Sequence, residues 1–288
     1  MTDEPQIFNP WNSKSQLITQ SQVEKILKDH DIEETITNLD FYQRAFVHKS
    51  YLKRSLHLAE QYQNTVVEKP TNCLDLQEKS YETLEYLGDA ILSATIASYL
   101  FERFPNEDEG FLTRMRTKLV NGEMLGSLGQ KMGLDEYIVI SQQVLEKNDH
   151  KVGYKLVEDL FEAFIGALYL DFNEEELEHP RLEFYSGLGF QICQVYIINV
   201  IEKYIDFSDL IMNDYNYKDK LMKYFQQNNK EILKYKEIMA EGSANNKTYT
   251  VCVVRKDESI LAYGKGPTKK KAEQCASQNA LQKLGLLE

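Results

Sequence analysis

The chain has 288 residues, 42% hydrophobic and 27% charged, with a net charge of −12, enough to build two cored domains of ordinary water-soluble composition. No apolar run reaches the 18 residues of a membrane span, since the most apolar stretch, 190–205, is broken by Gln191, Gln194, Asn199 and Glu202. The acidic start MTDEPQIFNPWNSK does not read as a signal peptide, and Cys73, Cys193, Cys252 and Cys275 are too scattered for a zinc knuckle or redox pair; a cytoplasmic or nuclear protein with reduced cysteines and no membrane contact is the expectation. Charge is unevenly spread. Residues 216–288 hold 14 basic and 8 acidic residues, whereas the first 215 hold 19 and 37, which suits a polyanion-binding unit joined to one that gathers cations.

In chain order, residues 15–52 read as mostly helical: QSQVEKILKDH opens on capping residues, and FYQRAFVHKSYL follows a polar turn at Asn38–Asp40. Residues 53–80, with Pro70, Asn72 and many Gln and Glu, read as an excursion between helices that either contacts substrate or, the preferred reading, loops out. In YETLEYLGDAIL (81–92), Leu84, Leu87 and Ile91 recur at helical spacing while Glu82, Glu85 and Asp89 form a narrow acidic stripe. Gly88 costs about 1 kcal/mol relative to alanine inside a helix and points to a close approach by another segment. The stripe is either a solvated face or one edge of a cation site. The helix is predicted to run on through ATIASYLFERF and stop before Pro105.

Beyond the PNEDEG loop, FLTRMRTKLVNGEMLGSLGQKMG reads as a single helix with Leu112, Met115, Leu119 and Leu125 in the core. KLVEDLFEAFIGALYLD (155–171) repeats the earlier pattern: Leu156, Leu160, Phe164 and Leu168 form an apolar row, Asp159 and Glu162 lie on another side, and Gly166 interrupts. Glu158, about 100° from Asp159 on a helix, is expected to face solvent or to stand behind a ligand. No strand signal falls between 15 and 205, so an all-helical first domain is predicted over 15–206, with a long, partly helical connection from 173. The pattern then changes: helix KDKLMKYFQQN, strands LKYKEIMAEG, KTYTVCVV and SILAYGKG, and helix KKKAEQCASQNALQKL, with Thr268 as its N-cap and Ala272, Ala276 and Ala280 facing the sheet. That makes 217–288 a small α+β domain of order α-β-β-β-α. Lys269, Lys270 and Lys271 sit at the positive end of the closing helix, unfavourably unless an anion docks there; the alternative is a solvated basic run.

With GKGPTKKKAEQCA opening its last helix, residues 217–286 resemble the double-stranded-RNA-binding domain. The resemblance implies duplex contacts from Lys223 and Gln226 on the first helix, from the first interstrand loop, and from Lys269, Lys270 and Lys271. In that loop GSANNKTY departs from the family's Gly-Pro-x-His, with Ser243 for proline and Asn245 for histidine; asparagine can still donate to a 2′-OH. Such modules read A-form shape.

FVHKSY, YETLEYLGDAIL, FPNEDEGFLTRMRTKLV and LVEDLFEAFIGALYLD together resemble ribonuclease III over roughly residues 20–172. The resemblance implies a mainly α fold and an endonuclease that hydrolyses double-stranded RNA to 5′-phosphate and 3′-hydroxyl ends with short 3′ overhangs. It makes Glu85, Asp89, Asp159 and Glu162 the catalytic metal-binding set for Mg²⁺, with Mn²⁺ as a possible substitute, and Glu82 and Glu109 accessory acids facing the substrate. It also implies a homodimer with Tyr86 at the subunit contact, against the alternative of an ordinary core aromatic. The rival function is a non-catalytic dimer that sequesters duplex RNA. The presence of all four acids discriminates against it.

Overall fold

The computed structural model describes residues 7–61, 64–148, 152–173, 175–179, 182–212, 217–229, 231–242 and 247–287. It divides into two compact units, Met1–Asp206 and Phe207–Glu288. The first opens with β1 (Ile7–Phe8), α1 (Gln20–Lys28), α2 (Leu39–Ala45), α3 (Lys53–Gln61) and β2 (Thr65–Val66). Helices α4 (Glu82–Arg103), α5 (Glu109–Leu119), α6 (Gly122–Lys131), α7 (Gln142–Lys147) and α8 (Tyr154–Asp171) follow, then β3 (Glu175–His179), β4 (Leu182–Ser186) and α9 (Gly189–Tyr204).

The centre of this unit is α8. Leu160, Phe161, Ala163, Phe164, Ile165, Ala167 and Leu168 are all buried, so the helix is apolar nearly all round, as a helix enclosed by others must be. Helices α2, α4, α6 and α9 pack against it. Its last residue, Asp171, is a buried carboxylate answered by fixed donors: the Asn38 N–H at 2.6 Å, the Thr37 hydroxyl at 2.7 Å and the Tyr42 hydroxyl at 2.9 Å. That set ties the end of α8 to the start of α2.

Four expectations change. The predicted single helix after Pro105 is two, because Asn121 ends α5 and caps α6, its side-chain oxygen accepting from the Met124 N–H at 3.0 Å. Residues 53–80 do not loop out: Leu52, Leu56 and Leu74 pack on a cluster of Val47, Tyr51, Leu76 and Val139, and the Trp11 indole donates to the Val67 carbonyl at 2.7 Å. Their apolar residues are too irregularly spaced to announce this. Within the segment from 173, α9 is a core helix, burying Ile192, Cys193, Tyr196, Ile197, Val200 and Ile201 at helical spacing. The same segment holds the antiparallel pair β3–β4, with Leu177 opposite Phe184, and β1 pairs with β2 in parallel, so the first unit is not wholly helical.

The second unit comprises α10 (Phe207–Met212), α11 (Tyr217–Asn229), the antiparallel sheet β5 (Lys234–Glu241), β6 (Thr248–Val254) and β7 (Ile260–Gly266) in that order, and α12 (Lys269–Lys283). Leu221, Phe225, Leu233, Val253, Ala276, Ala280 and Leu281 form its core. Thr268 caps α12, its hydroxyl accepting from the Lys271 N–H at 3.2 Å, and Ala272, Ala276 and Ala280 are buried. A methyl group at Gly264 would lie 2.1 Å from the Ala276 nitrogen. Small residues on both sides thus let α12 rest on the sheet at backbone distance. The predicted turn at Gly242–Asn246 lies mostly outside the described residues.

Candidate functional site

The two acidic helices meet where neither has a side chain. A methyl at Gly88 would sit 1.8 Å from the Glu162 carbonyl oxygen, and one at Gly166 would sit 2.2 Å from the Leu84 carbonyl oxygen. Each glycine therefore receives the backbone of the other helix, and α4 and α8 touch main chain to main chain. The acids flank this crossing, Glu85 and Asp89 around Gly88 and Asp159 and Glu162 before Gly166. One carboxylate oxygen from each of Glu85, Asp159 and Glu162 lies within 4.8 Å of the others. Asp89, exposed one turn along α4, is not in that triplet, yet its charge is among those acting on Glu162.

Electrostatics mark the triplet as incomplete. Two carboxylates about 4 Å apart repel by roughly 4 kcal/mol at an effective dielectric near 20. Burial, then repulsion from Asp89 and Glu158, pushes the Glu162 carboxyl up to about 8; Glu85 is raised by burial and then by Asp159. Asp159 is buried, and its Oδ2 accepts from the Tyr81 hydroxyl at 3.1 Å. Its Oδ1 lies 2.8 Å from the Lys155 ammonium but makes no hydrogen bond of good geometry. Asp171 is fully answered by fixed donors, whereas the ammonium paired to this cluster, Lys155 on Asp159, leaves Glu162 and Glu85 still raised. An all-oxygen donor set with a buried, poorly satisfied oxygen fits a hard divalent cation.

Around the triplet stand residues that the sequence reading did not single out. Tyr81, buried at the start of α4, reaches across to α8 through Asp159, and its phenol is raised by burial and by that carboxylate. His48 packs on Tyr81 with ring centroids 5.9 Å apart; its Nδ1 accepts from the Ser50 N–H, and burial lowers its basicity. Lys155 pairs with Asp159 and with Glu158 at 3.3 Å; although burial opposes it, those ion pairs hold the ammonium above its ordinary range. The i, i+4 spacing of Lys155 and Asp159 was readable in KLVED, whereas the reach of Tyr81 depends on how the helices cross. Glu158 does not face solvent freely, since a methyl at Gly122 would lie 2.5 Å from its Oε2.

The accessory acids lie apart from the triplet's bonding. Glu82 pairs with Lys49 at 3.0 Å and accepts from Ser80 at 3.2 Å, and its carboxyl is lowered by the bond from Lys49. Glu109 accepts from the Thr113 hydroxyl at 2.8 Å on α5. Tyr86 is 82% exposed on α4, so within this chain it is not a core aromatic.

In the second unit Lys223 and Gln226 are exposed three residues apart on α11, with Leu221 and Phe225 turned to the core. Lys223 pairs with Asp219 at 2.8 Å. Lys269, Lys270 and Lys271 are all exposed on the first turn of α12. Lys269 is pinned by Glu237 at 2.7 Å and lies 5.9 Å from the centre of the Tyr249 ring. Asn245 lies outside the described residues.

Residues 82–173 match the model of the ribonuclease III domain, and residues 217–284 that of the double-stranded RNA binding motif. A ribonuclease 3 of Staphylococcus aureus is 33% identical over 94% of this chain and 96% of its own length. A probable ribonuclease 3 of Acanthamoeba polyphaga mimivirus is 32% identical over 97% of this chain, which spans only 45% of that longer relative. Putative protein A464R of Paramecium bursaria Chlorella virus 1 is 35% identical over 73% of this chain and 70% of its own length. Among solved structures, the nuclease domain of ribonuclease III from Campylobacter jejuni aligns with a TM-score of 0.46 at 24% identity, covering 64% of this chain and 97% of that one. With an acidic helix crossing inside the first matched region, a lysine-rich helix start inside the second, and 33% identity over nearly the full length of a bacterial ribonuclease 3, the chain belongs to the ribonuclease III family of double-stranded-RNA endoribonucleases.

Proposed function

We propose that the protein is a divalent-metal-dependent endonuclease that hydrolyses both strands of duplex RNA, leaving 5′-phosphate and 3′-hydroxyl ends with short 3′ overhangs. The observation that carries this reading is the convergence of Glu85, Asp159 and Glu162 within 4.8 Å across a glycine-lined helix crossing. Those three would hold Mg²⁺, for which Mn²⁺ could substitute, with Asp89 adding negative charge at the exposed side. A bound divalent ion supplies a water of lowered pKa and neutralises charge at phosphorus.

The chain's own residues do the rest. Tyr81 orients Asp159 by donating to one of its oxygens. Glu162, whose carboxyl burial and the neighbouring acids push up to about 8, would be drawn toward its ionised form by a bound cation. Glu82 and Glu109 stand at the starts of α4 and α5, where they would meet the substrate strand. The lysines of α12, with Lys223 and Gln226 of α11, hold the duplex through its backbone and 2′-hydroxyls, and Asn245 would add a minor-groove contact. Exposed Tyr86 supports a homodimer joined through α4, which would place two such sites on one duplex, one per strand.

Labelled duplex RNA incubated with the purified chain and Mg²⁺ tests this directly. Short duplexes with 3′ overhangs, ligatable only through their 5′-phosphates, are the expected products, and chelator abolishes them. Intact duplex in Mg²⁺ with binding retained would favour the sequestering protein instead.

A further inference from the structure

Asp159 has two oxygens in different circumstances. Oδ2 is committed to the Tyr81 hydroxyl, within a buried contact at 3.1 Å. Oδ1 is buried, makes no hydrogen bond, and has the Lys155 ammonium 2.8 Å away. We propose that Lys155 is a tethered counter-ion on Asp159 Oδ1, which a divalent ion must displace, so that Lys155 sets the metal affinity of the site. The proposal rests on the metal-centre reading above.

Three features make displacement feasible. Lys155 starts one helical turn before Asp159, so its charge is delivered by the same helix and cannot diffuse away. Its side chain is 71% exposed while that of Asp159 is 12% exposed, so moving it aside uncovers little buried surface. Glu158 Oε2, 3.3 Å from the same ammonium, gives it a second acidic partner once Asp159 is taken. Asp171 is the contrasting case: its donors include backbone N–H groups and the buried Tyr42 hydroxyl, which cannot move aside.

A neutral residue at 155 removes both the competition for Oδ1 and the repulsion of the incoming ion. Exposed ion pairs contribute modestly, so Lys155→Met should bind metal about three- to tenfold more tightly, with Lys155→Arg staying near wild type because the positive charge is kept. The measurement is a titration of the full chain with Mn²⁺ in the absence of RNA, free ion being read by electron paramagnetic resonance. Lys155→Gln serves as a second neutral variant, and thermal melts verify that each is folded. Tighter binding in both neutral variants, with Arg matching wild type, is the expected result. Unchanged or weaker binding in the neutral variants, while Glu162→Gln loses the ion, overturns the counter-ion role and leaves the metal centre standing. Indifference of binding to Glu162→Gln as well places the ion elsewhere and overturns both.

Discussion

Glu162 is a buried acid whose carboxyl is pushed up to about 8 by burial, Asp89 and Glu158. Because its folded-state value lies above the ordinary carboxylate value, the folded chain binds a proton that the unfolded chain releases between about pH 4.5 and 8. Stability conferred by the protonated group is present at low pH and lost as pH rises through that window; raised Glu85 acts in the same direction. In chelator, urea denaturation should therefore show stability falling from pH 5 to 8, more steeply in wild type than in Glu162→Gln. Added Mg²⁺ should offset the fall. A profile identical in the two proteins would mean that Glu162 titrates as an ordinary exposed acid. Asp171 offers the opposite test: it is fully hydrogen-bonded, so Asp171→Ala should cost about 2–4 kcal/mol by stranding buried donors at the start of α2, measured by the same denaturation.

At the scale of elements, the crossing of α4 and α8 explains why two apolar helices each carry a glycine. Gly88→Ala puts a methyl 1.8 Å from a backbone oxygen, which no rotamer change relieves. The helices must part, at an expected cost of about 1–3 kcal/mol or more. Cleavage should fall further than this stability loss explains, because Glu85 moves away from Asp159 and Glu162. Wild-type stability in that variant would contradict the close crossing. Much of this was legible in sequence: the apolar rows of YETLEYLGDAIL and KLVEDLFEAFIGALYLD located the helices, and a glycine amid them signalled close approach. What was hidden depends on partners distant in sequence. Nothing local says that Tyr81 bonds Asp159 across 78 positions, or that irregular leucines of 53–80 close over Trp11 and Tyr51. The split at Asn121 was available in its Asn-Gly pair, a capping and turn signal outweighed by the longer helical periodicity.

For the whole molecule, a net charge of −12 conceals a division of labour. In the proposed function the acidic unit would concentrate cations at one crossing and the basic unit would supply the affinity for a polyanion. Replacing Lys269 and Lys270 with alanine should weaken binding to unrelated duplex sequences about equally and lower the salt slope of log K by up to about 2, roughly one for each phosphate that is no longer neutralised. Filter binding across a salt series measures this; an unchanged slope would show that α12 does not meet the backbone. The alternation of Ala272, Ala276 and Ala280 with the lysine turn was readable beforehand because packing and capping there are local to one helix. Asn245 lies outside the described residues.

In the proposed function the acidic crossing cuts and the basic unit holds. The most direct test of that division compares Glu162→Gln with wild type on one labelled duplex, reading binding in chelator and single-turnover cleavage in Mg²⁺. Equal affinity is predicted, with a cleavage rate lowered by at least about a thousandfold, the scale set by loss of a group that stabilises transition-state charge. Normal cleavage by Glu162→Gln in Mg²⁺ would contradict it.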